Sequence, residues 1–239
     1  MTRILLPCEI DGTSPVVLDD EELHYLSRVR RHRPGDTVEL CAPGGRCFLA
    51  KVIEISAERA VLEVKEESTP SSMILPIRLL VAIPKRQLLE DVVRMAGELG
   101  VERICPIIAE RTVVQPKGEK IERWRRIAEE SIRQSGRSVP IEVEEIRPLP
   151  EVLEQFADGT RLFLHPSPDN PRLANAFPLT PPVTAVIGPE GGFTDREVAL
   201  ARSLSYRPVR LDTPILRIET AAVAAAAICG AGLQRSETA

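Results

Sequence analysis

The sequence predicts an α/β protein in which a small β-rich domain is followed by a larger domain of alternating strands and helices. Short alternating or apolar segments fill residues 1–70. A polar tract at 66–72 then interrupts the pattern, and from residue 73 onward apolar segments with strand and helix periodicity follow one another. Such alternation is typical of a mostly parallel sheet covered by helices. We therefore predict domains over residues 1–70 and 73–235.

The first domain is expected to be a small β-barrel that carries one helix. Strands are predicted over 38–40, 48–53 and 60–64. The tract 42–45, Ala-Pro-Gly-Gly, has the composition of a hairpin turn between two of them. A helix is predicted from Asp20 to Arg31, since an acidic start and a basic end suit the helix dipole. An apolar stripe runs along this helix, formed by Leu23, Leu26 and Val29.

The second domain is expected to contain five strands and four helices in alternation. The continuous apolar run at 77–83 is typical of a strand buried on both faces of a parallel sheet. Gly100 follows an amphipathic segment and is expected to end a helix there. Strands are predicted over 77–83, 103–108, 161–164, 183–187 and 209–211, and helices over 88–99, 121–134, 194–204 and 218–229.

Composition and cysteine spacing favour a cytosolic protein. No apolar run reaches the ~20 residues of a membrane span, and the first seven residues are too short and mixed for a signal peptide. The five cysteines are scattered, and the three histidines add no metal-ligand spacing to them. We therefore expect free buried thiols in a reducing compartment, with no membrane segment and no metal site.

The net charge of −4 argues against a generally basic nucleic-acid-binding surface. Two local arginine clusters exist nevertheless. The first consists of Arg28, Arg30, Arg31 and Arg33, and the second of Arg123, Arg125, Arg126, Arg133 and Arg137. Either cluster could be a solvated face or a patch of phosphate contacts, because phosphate contacts need only a local patch.

A glycine-rich loop is expected where a buried strand ends at Ile187. The loop reads Gly188-Pro189-Glu190-Gly191-Gly192, and Thr194 and Glu197 behind it have the spacing of a helix capping box. Loops at the carboxyl ends of parallel strands bind ligands in open α/β sheets. The loop matches neither the dinucleotide-binding nor the P-loop pattern. It could be a plain tight turn or a ligand-binding loop.

Two further stretches combine charges with irregular structure. In one, Pro214 and Arg217 precede an alanine-rich helix whose first turn contains Glu219. A packed core helix explains the alanines but not the arginine. In the other, Gln134-Ser135-Gly136-Arg137 follows a helix with several possible ion pairs four residues apart. Those pairs leave the glutamine, the serine and the last arginine without a structural role.

Together these stretches resemble the ribosomal RNA small subunit methyltransferase E family, the 16S rRNA uridine N3-methyltransferases of the SPOUT superfamily. The residues from Leu23 to Arg31, followed by Pro34-Gly35-Asp36, are similar to its PUA-like RNA-binding domain. Three motifs are the most specific part of the resemblance: Gln134 to Arg137, Gly188 to Gly192, and Ile215 to Ala221. The resemblance departs from the family at Asp212, where glycine is usual, and at Pro214, where arginine is common.

The resemblance implies a SPOUT domain with a C-terminal trefoil knot, a homodimer in the cytoplasm and S-adenosylmethionine (SAM) as methyl donor. The implied substrate is 16S rRNA, at uridine 1498 in the family, in the assembled 30S subunit. It also implies that the first arginine cluster binds RNA. The residues implied to hold the cofactor are Leu164, His165, Ile187, Gly188, Pro189, Glu190, Gly191, Gly192, Leu211, Ile215 and Leu216.

For the implied reaction, uracil N3 must lose its proton before it can attack the methyl group. Arg137 and Arg217 are candidates for stabilising the resulting anion. Glu190 or Glu219 could accept the proton or orient an arginine. Two other functions stay open: an RNA-binding protein with impaired turnover, and an α/β enzyme that binds a nucleotide phosphate at the glycine-rich loop.

Overall fold

The computed structural model describes residues 2–12, 15–43, 45–68, 74–85, 88–114, 119–135 and 140–233. Two compact units are present, each with its own hydrophobic core. The first comprises residues 1–73 and 132–140, and the second comprises 74–131 and 141–239. Within the described residues, no helix is both long and apolar enough to span a membrane.

The first unit is built on one sheet with a short helix. Its elements are β1 (Arg3–Leu5), β2 (Val16–Leu18), α1 (Asp20–His24), β3 (Thr37–Cys41), β4 (Cys47–Ile55) and β5 (Ala60–Ser68). The strand order is β1-β3-β4-β5-β2, with β1 parallel to β3 and the other neighbours antiparallel. α1 continues as one π-helical turn over Tyr25–Val29, so the predicted helix is confirmed over these residues.

The core of this unit follows the period-two pattern of its strands. Leu40, Val52 and Leu62 point inward from neighbouring strands and are fully buried, and Leu26 of the π-helical turn is buried with them. The predicted hairpin turn is confirmed, because the amide of Ala42 donates to the carbonyl oxygen of Arg46 at 2.9 Å.

The prediction of free thiols is wrong for two of the five cysteines. Cys41 and Cys47 lie directly opposite each other on β3 and β4 and form a disulfide. Opposed residues of an antiparallel pair project from the same face of the sheet, so the hairpin itself brings the two sulfur atoms together. Cys8, Cys105 and Cys229 are free thiols, of which Cys105 and Cys229 are buried as expected, whereas Cys8 is exposed and contradicts the prediction of burial.

The second unit is a parallel sheet with helices on both faces. Its elements are β6 (Leu75–Ala82), α2 (Leu88–Glu98), β7 (Val101–Ile108), α3 (Glu119–Ser135), β8 (Glu142–Val143), β9 (Arg147–Pro148), α4 (Leu149–Gln155), β10 (Thr160–Leu164), β11 (Val183–Ile187), α5 (Asp195–Ser203), β12 (Arg207–Val209) and α6 (Ile218–Gly232). A 3-10 turn covers Leu173–Ala176. The strand order is β12-β10-β11-β6-β7-β8, and β9 also pairs with β7.

Alternate residues of the central strands face the two layers of helices. Leu79 of β6 lies in one buried cluster with residues of α2, α3 and α6, whereas Leu80 lies in another with residues of α4 and α5. Every residue of β11 is buried, as expected for a strand covered on both faces. The predicted α/β class with a parallel sheet is therefore confirmed.

The apolar periodicity of the sequence predicted most elements of this unit but not all of them. Gly100 ends α2 with a φ of +85°, as expected. The last strand was expected over 209–211, but β12 lies at Arg207–Val209, because Arg210 already leaves the sheet. α4 was missed, since its seven residues contain a proline in the first turn and too few apolar positions to show a period.

Candidate functional site

Three adjacent strands end at one edge of the second sheet, and each is followed by an irregular loop. β10 lies between β11 and β12, and the three run parallel. The loops are residues 165–172 after β10, 188–194 after β11 and 210–217 after β12. Although they are far apart in the chain, they converge at the carboxyl edge, where open α/β sheets bind ligands.

The residues predicted to hold a cofactor are thus brought to one edge. Leu164 and Ile187 are the last residues of their strands, and their side chains belong to the core. Pro189 is buried, whereas Glu190 and Gly191 are exposed. Of these residues, Glu190 and Gly191 are therefore the ones exposed at this edge.

Two glycines give the loop after β11 its shape. A Cβ atom on Gly188 would lie 2.7 Å from the ring of Phe193, so this position requires glycine. Gly192 has a φ of +68°, in the left-handed region, and its amide donates to the carbonyl oxygen of Pro189 at 2.8 Å. The result is a tight turn that exposes the main chain of Glu190 and Gly191.

The turn is followed directly by α5, which begins with the predicted capping box. The hydroxyl of Thr194 accepts from the amide of Glu197 at 3.3 Å, and the Glu197 carboxylate accepts from the amide of Thr194 at 2.8 Å. This prediction is confirmed. The other Glu197 oxygen accepts from the amide of Glu110 at 2.8 Å, a contact that the local pattern did not indicate.

Two more contacts connect the glycine-rich loop to neighbouring loops. The carboxylate of Glu190 accepts from the amide of Lys85 at 3.0 Å. The guanidinium of Arg111 donates to the carbonyl oxygen of Gly191 at 2.8 Å. Glu190, a candidate base, therefore has one carboxylate oxygen engaged by the main chain, and Arg111 is a site residue that sequence reasoning missed.

The loop after β12 has main-chain amides without main-chain hydrogen-bond partners among the described residues. In the described part of the chain, no main-chain amide of residues 211–216 donates to another main-chain group. Leu211 packs against the core, Leu216 is half-buried, and Ile215 is 93% exposed. Apart from Pro214, which has no amide hydrogen, these residues can therefore donate main-chain hydrogen bonds to a ligand. The carbonyl oxygen of Pro214 already accepts from the hydroxyl of Thr213 at 3.1 Å.

α6 begins with the pair of charged residues singled out in the sequence. Arg217 is exposed and occupies the N-cap position without a side-chain capping bond. Glu219 lies in the first turn, and its Oε2 atom is buried with no hydrogen-bond partner among the described residues. A buried carboxylate oxygen without a donor is costly, so this atom is suited to receive a donor or a cation from a ligand. The other candidate arginine, Arg137, lies outside the described residues.

The loop after β10 fixes the histidine predicted at the site. The amide of His165 donates to the carbonyl oxygen of Val209 at 2.8 Å, which joins the loop to β12. The side-chain amide of Asn170, a buried residue, donates to the carbonyl oxygen of His165 at 2.9 Å and lies 3.2 Å from its Nδ1 atom. The main chain and the ring of His165 are both held in place.

In the first unit, the arginine cluster that follows α1 is accessible. Arg28, Arg30, Arg31 and Arg33 are all exposed. The guanidinium of Arg30 lies 5.3 Å from the ring centroid of Tyr25 and donates to its hydroxyl oxygen at 2.9 Å. The other three guanidiniums have no acceptor within the part of the chain that the structure describes. This is compatible both with a solvated face and with a patch of phosphate contacts.

Comparison with known proteins identifies relatives over the whole chain. Residues 70–230 match the family model of the RNA methyltransferase domain, and residues 18–65 match that of the RNA methyltransferase PUA domain. Ribosomal RNA small subunit methyltransferase E from Synechocystis is 33% identical, over 97% of this chain and 78% of the relative. The enzyme of the same name from Aquifex aeolicus is 30% identical, over 91% and 94%.

A solved structure agrees with the fold. The crystal structure of ribosomal RNA small subunit methyltransferase E from Neisseria gonorrhoeae, bound to S-adenosyl methionine, is 29% identical in sequence. It superposes with a TM-score of 0.85 over 95% of both chains. The two matched family models cover parts of both units, and that of the RNA methyltransferase domain spans all three loops at the carboxyl edge.

Proposed function

The chain belongs to the ribosomal RNA small subunit methyltransferase E family, and we propose that it methylates N3 of a uracil in 16S rRNA with SAM as methyl donor. The observation that carries this proposal is the convergence of three loops at the ends of β10, β11 and β12. The RNA methyltransferase domain model, which matches residues 70–230, spans these same loops.

The residues at this edge fit the proposed cofactor. The ring nitrogens of adenine accept hydrogen bonds, which matches the unpaired main-chain amides of residues 211–216. SAM also carries a sulfonium and an ammonium, and the partnerless Glu219 oxygen is an anionic acceptor suited to a cation. The residues proposed to hold it are Leu164, His165, Ile187, Gly188, Pro189, Glu190, Gly191, Gly192, Leu211, Ile215 and Leu216.

In the proposed mechanism, the bound cofactor supplies an electrophilic methyl group and the protein prepares the nucleophile. The proton on uracil N3 must leave so that its electron pair can attack the methyl carbon. Glu219 is better placed to accept that proton than Glu190, because one Glu190 oxygen already accepts from Lys85. The exposed guanidinium of Arg217 would stabilise the negative charge spread over N3 and the adjacent carbonyl oxygens, with Arg137 as the second candidate.

We propose that the first unit binds RNA phosphates through its exposed arginine cluster. The substrate base must be unstacked before it can reach a methyl donor at the sheet edge. Contacts from a separate unit can supply the binding energy that this requires. The assembled 30S subunit is the proposed substrate, and the cytoplasm the proposed location.

We also propose a homodimer and a C-terminal trefoil knot, as in the family. In support of the dimer, Ile215 is 93% exposed next to the proposed cofactor loop, where a second copy could cover it. Light scattering at micromolar concentration should give twice the chain mass of 26.4 kDa. A monomer with full activity would contradict the dimer.

The experiment that tests the function compares 30S subunits with free 16S rRNA as methyl acceptors. The expected product is one 3-methyluridine, located by mass mapping of ribonuclease fragments and formed only with SAM. Calorimetry with SAM and with ATP provides the control for a nucleotide-phosphate site. Binding of ATP without binding of SAM, or methylation of a base other than uracil, would contradict the proposal.

A further inference from the structure

Asp212 lies between two arginines in the loop after β12. Its Oδ1 atom accepts from Nη1 of Arg210 at 2.9 Å, and its Oδ2 atom lies 3.3 Å from Nε of Arg172. The two partners come from different loops, because Arg172 belongs to the loop after β10. A single carboxylate thus connects two of the three loops at the carboxyl edge.

Arg210 strengthens the same connection. Its Nε atom donates to the main-chain oxygen of Asn170 at 3.1 Å. Its amide donates to the carbonyl oxygen of Pro171 at 2.9 Å, and its carbonyl oxygen accepts from the amide of Leu173 at 2.8 Å. The start of the loop after β12 is therefore hydrogen-bonded to the end of the loop after β10. The ion pair of Asp212 with Arg172 adds a contact between the same two loops, two residues further along the chain.

Beyond Asp212, the loop depends on side chains for its position. The amides of residues 211–216 donate to no main-chain group in the described chain. The side chain of Arg210 is only 27% exposed, whereas those of Arg172 and Asp212 are 55% and 51% exposed. Exposed ion pairs contribute little to global stability. They can nevertheless set the conformation of a loop whose amides donate to no main-chain group among the described residues.

We propose that Asp212, held by Arg172 and Arg210, is a positioning residue that presents the open main chain of residues 211–216 to the cofactor. This inference rests on the proposed function, because it assumes that SAM binds at these loops. In this proposal Asp212 contacts other protein residues rather than the cofactor, and it affects cofactor binding through the conformation of the loop. The residue that departs from the family pattern thus has a specific structural task in this chain.

The test measures SAM affinity of the full-length protein by calorimetry, together with hydrogen exchange of the protein without SAM. Asp212→Asn should raise the Kd for SAM about fivefold, the upper range of an exposed ion pair. It should also speed amide exchange in residues 211–216, with an unchanged melting temperature. Asp212→Glu keeps the carboxylate and should recover most of the affinity.

Further variants make the test specific. Asp169→Asn removes an exposed carboxylate from the loop after β10 that has no ion-pair partner in the described chain, so its affinity should equal that of the wild type. Arg172→Asp and Asp212→Arg should each weaken binding, because each places like charges side by side. The double variant again pairs a carboxylate with a guanidinium between positions 172 and 212, and should recover part of the affinity that either single variant loses.

The outcomes separate the two proposals. A wild-type protein that binds no SAM overturns the proposed function, and this inference with it. A wild type that binds SAM beside an Asp212→Asn variant of equal affinity and equal exchange overturns this inference alone. If the double variant, Arg172→Asp with Asp212→Arg, recovered no SAM affinity relative to the single variants, the proposed role of the contact between residues 172 and 212 would also be contradicted.

Discussion

The carboxylate of Glu197 accepts from the main chain of Glu110, a residue 87 positions earlier in the chain. One oxygen accepts from the amide of Glu110 at 2.8 Å, and the other accepts from the amide of Thr194 at 2.8 Å. The side chain is 4% exposed, yet its charge is matched by these donors and by the positive end of α5. Glu197 therefore fixes the end of the glycine-rich loop against the loop after β7.

We expect Glu197→Ala to destabilise the protein by about 2–3 kcal/mol, since it leaves two partly buried amides without acceptors. Chemical denaturation followed by circular dichroism measures this loss. Asp195→Ala, which removes an exposed carboxylate from the same helical turn, should cost less than about 1 kcal/mol. Equal losses of stability in the two variants would show that Glu197 stabilises the protein only through the helix dipole and not through its hydrogen bonds.

Gly191→Val should abolish SAM binding while the protein stays folded. An added Cβ would lie 3.3 Å from the Cβ of Arg111, so the larger side chain would displace Arg111 and cover the exposed main chain. Calorimetry and a thermal melt measure the two properties. Arg111→Ala keeps the glycine and should weaken binding only partly. A folded Gly191→Val protein with normal affinity would remove this loop from the cofactor site.

Arg217→Lys should bind SAM nearly as well as the wild type but turn over more slowly, by roughly 10²–10³-fold, as for a lost oxyanion donor. Lysine keeps the charge and loses the planar arrangement of donors. Raising the pH should partly restore the rate, because hydroxide then helps to remove the proton from N3. Arg207→Lys, another exposed arginine, is the control. Wild-type turnover of the Arg217 variant would make Arg137 the leading candidate.

Changing the four arginines of the first unit to alanine should flatten the salt dependence of RNA affinity. If all four contact phosphates, the slope of log K against log salt should fall by about 3. Fluorescence anisotropy with labelled RNA at several salt concentrations measures it. Removing other exposed cations of this unit, Lys51, Arg59 and Lys65, should leave the slope nearly unchanged. An unchanged slope for the arginine variant would mean that the cluster is a solvated face.

The reactivity of the cysteines should follow their burial. Burial raises the pKa of the Cys229 thiol to about 12 and also raises the pKa of Cys105, so both carry little reactive thiolate at pH 8. Iodoacetamide should therefore label only the exposed Cys8 in the native protein. Mass spectrometry should find three labels after denaturation and five after reduction as well. Five labels without reduction would contradict the disulfide between Cys41 and Cys47.

Local signals explain why much of the fold could be predicted from sequence. A run of apolar residues predicts the buried strands β6 and β11 without knowledge of their neighbours. The capping box and Gly100 depend on residues within one helical turn. These elements were therefore located correctly from the chain alone.

Contacts between distant residues could not be predicted in the same way. Arg111 contacts the glycine-rich loop, and Glu110 contacts Glu197 of α5, because β7 and β11 belong to one sheet. The contact of Asp212 with Arg172 likewise depends on the pairing of β10 with β12. No local pattern encodes these contacts, and the disulfide was missed for the same reason, since it depends on the register of β3 and β4.

The order of strands across the second sheet has a consequence for biosynthesis. β12 pairs with β10 on the outer side and β11 pairs with it on the inner side, and β12 follows both in the chain. A ribosome that makes this protein therefore releases the other strands of the sheet before the last of the three loops emerges. Until that loop has emerged, a nascent chain lacks one of the three segments proposed to hold the methyl donor.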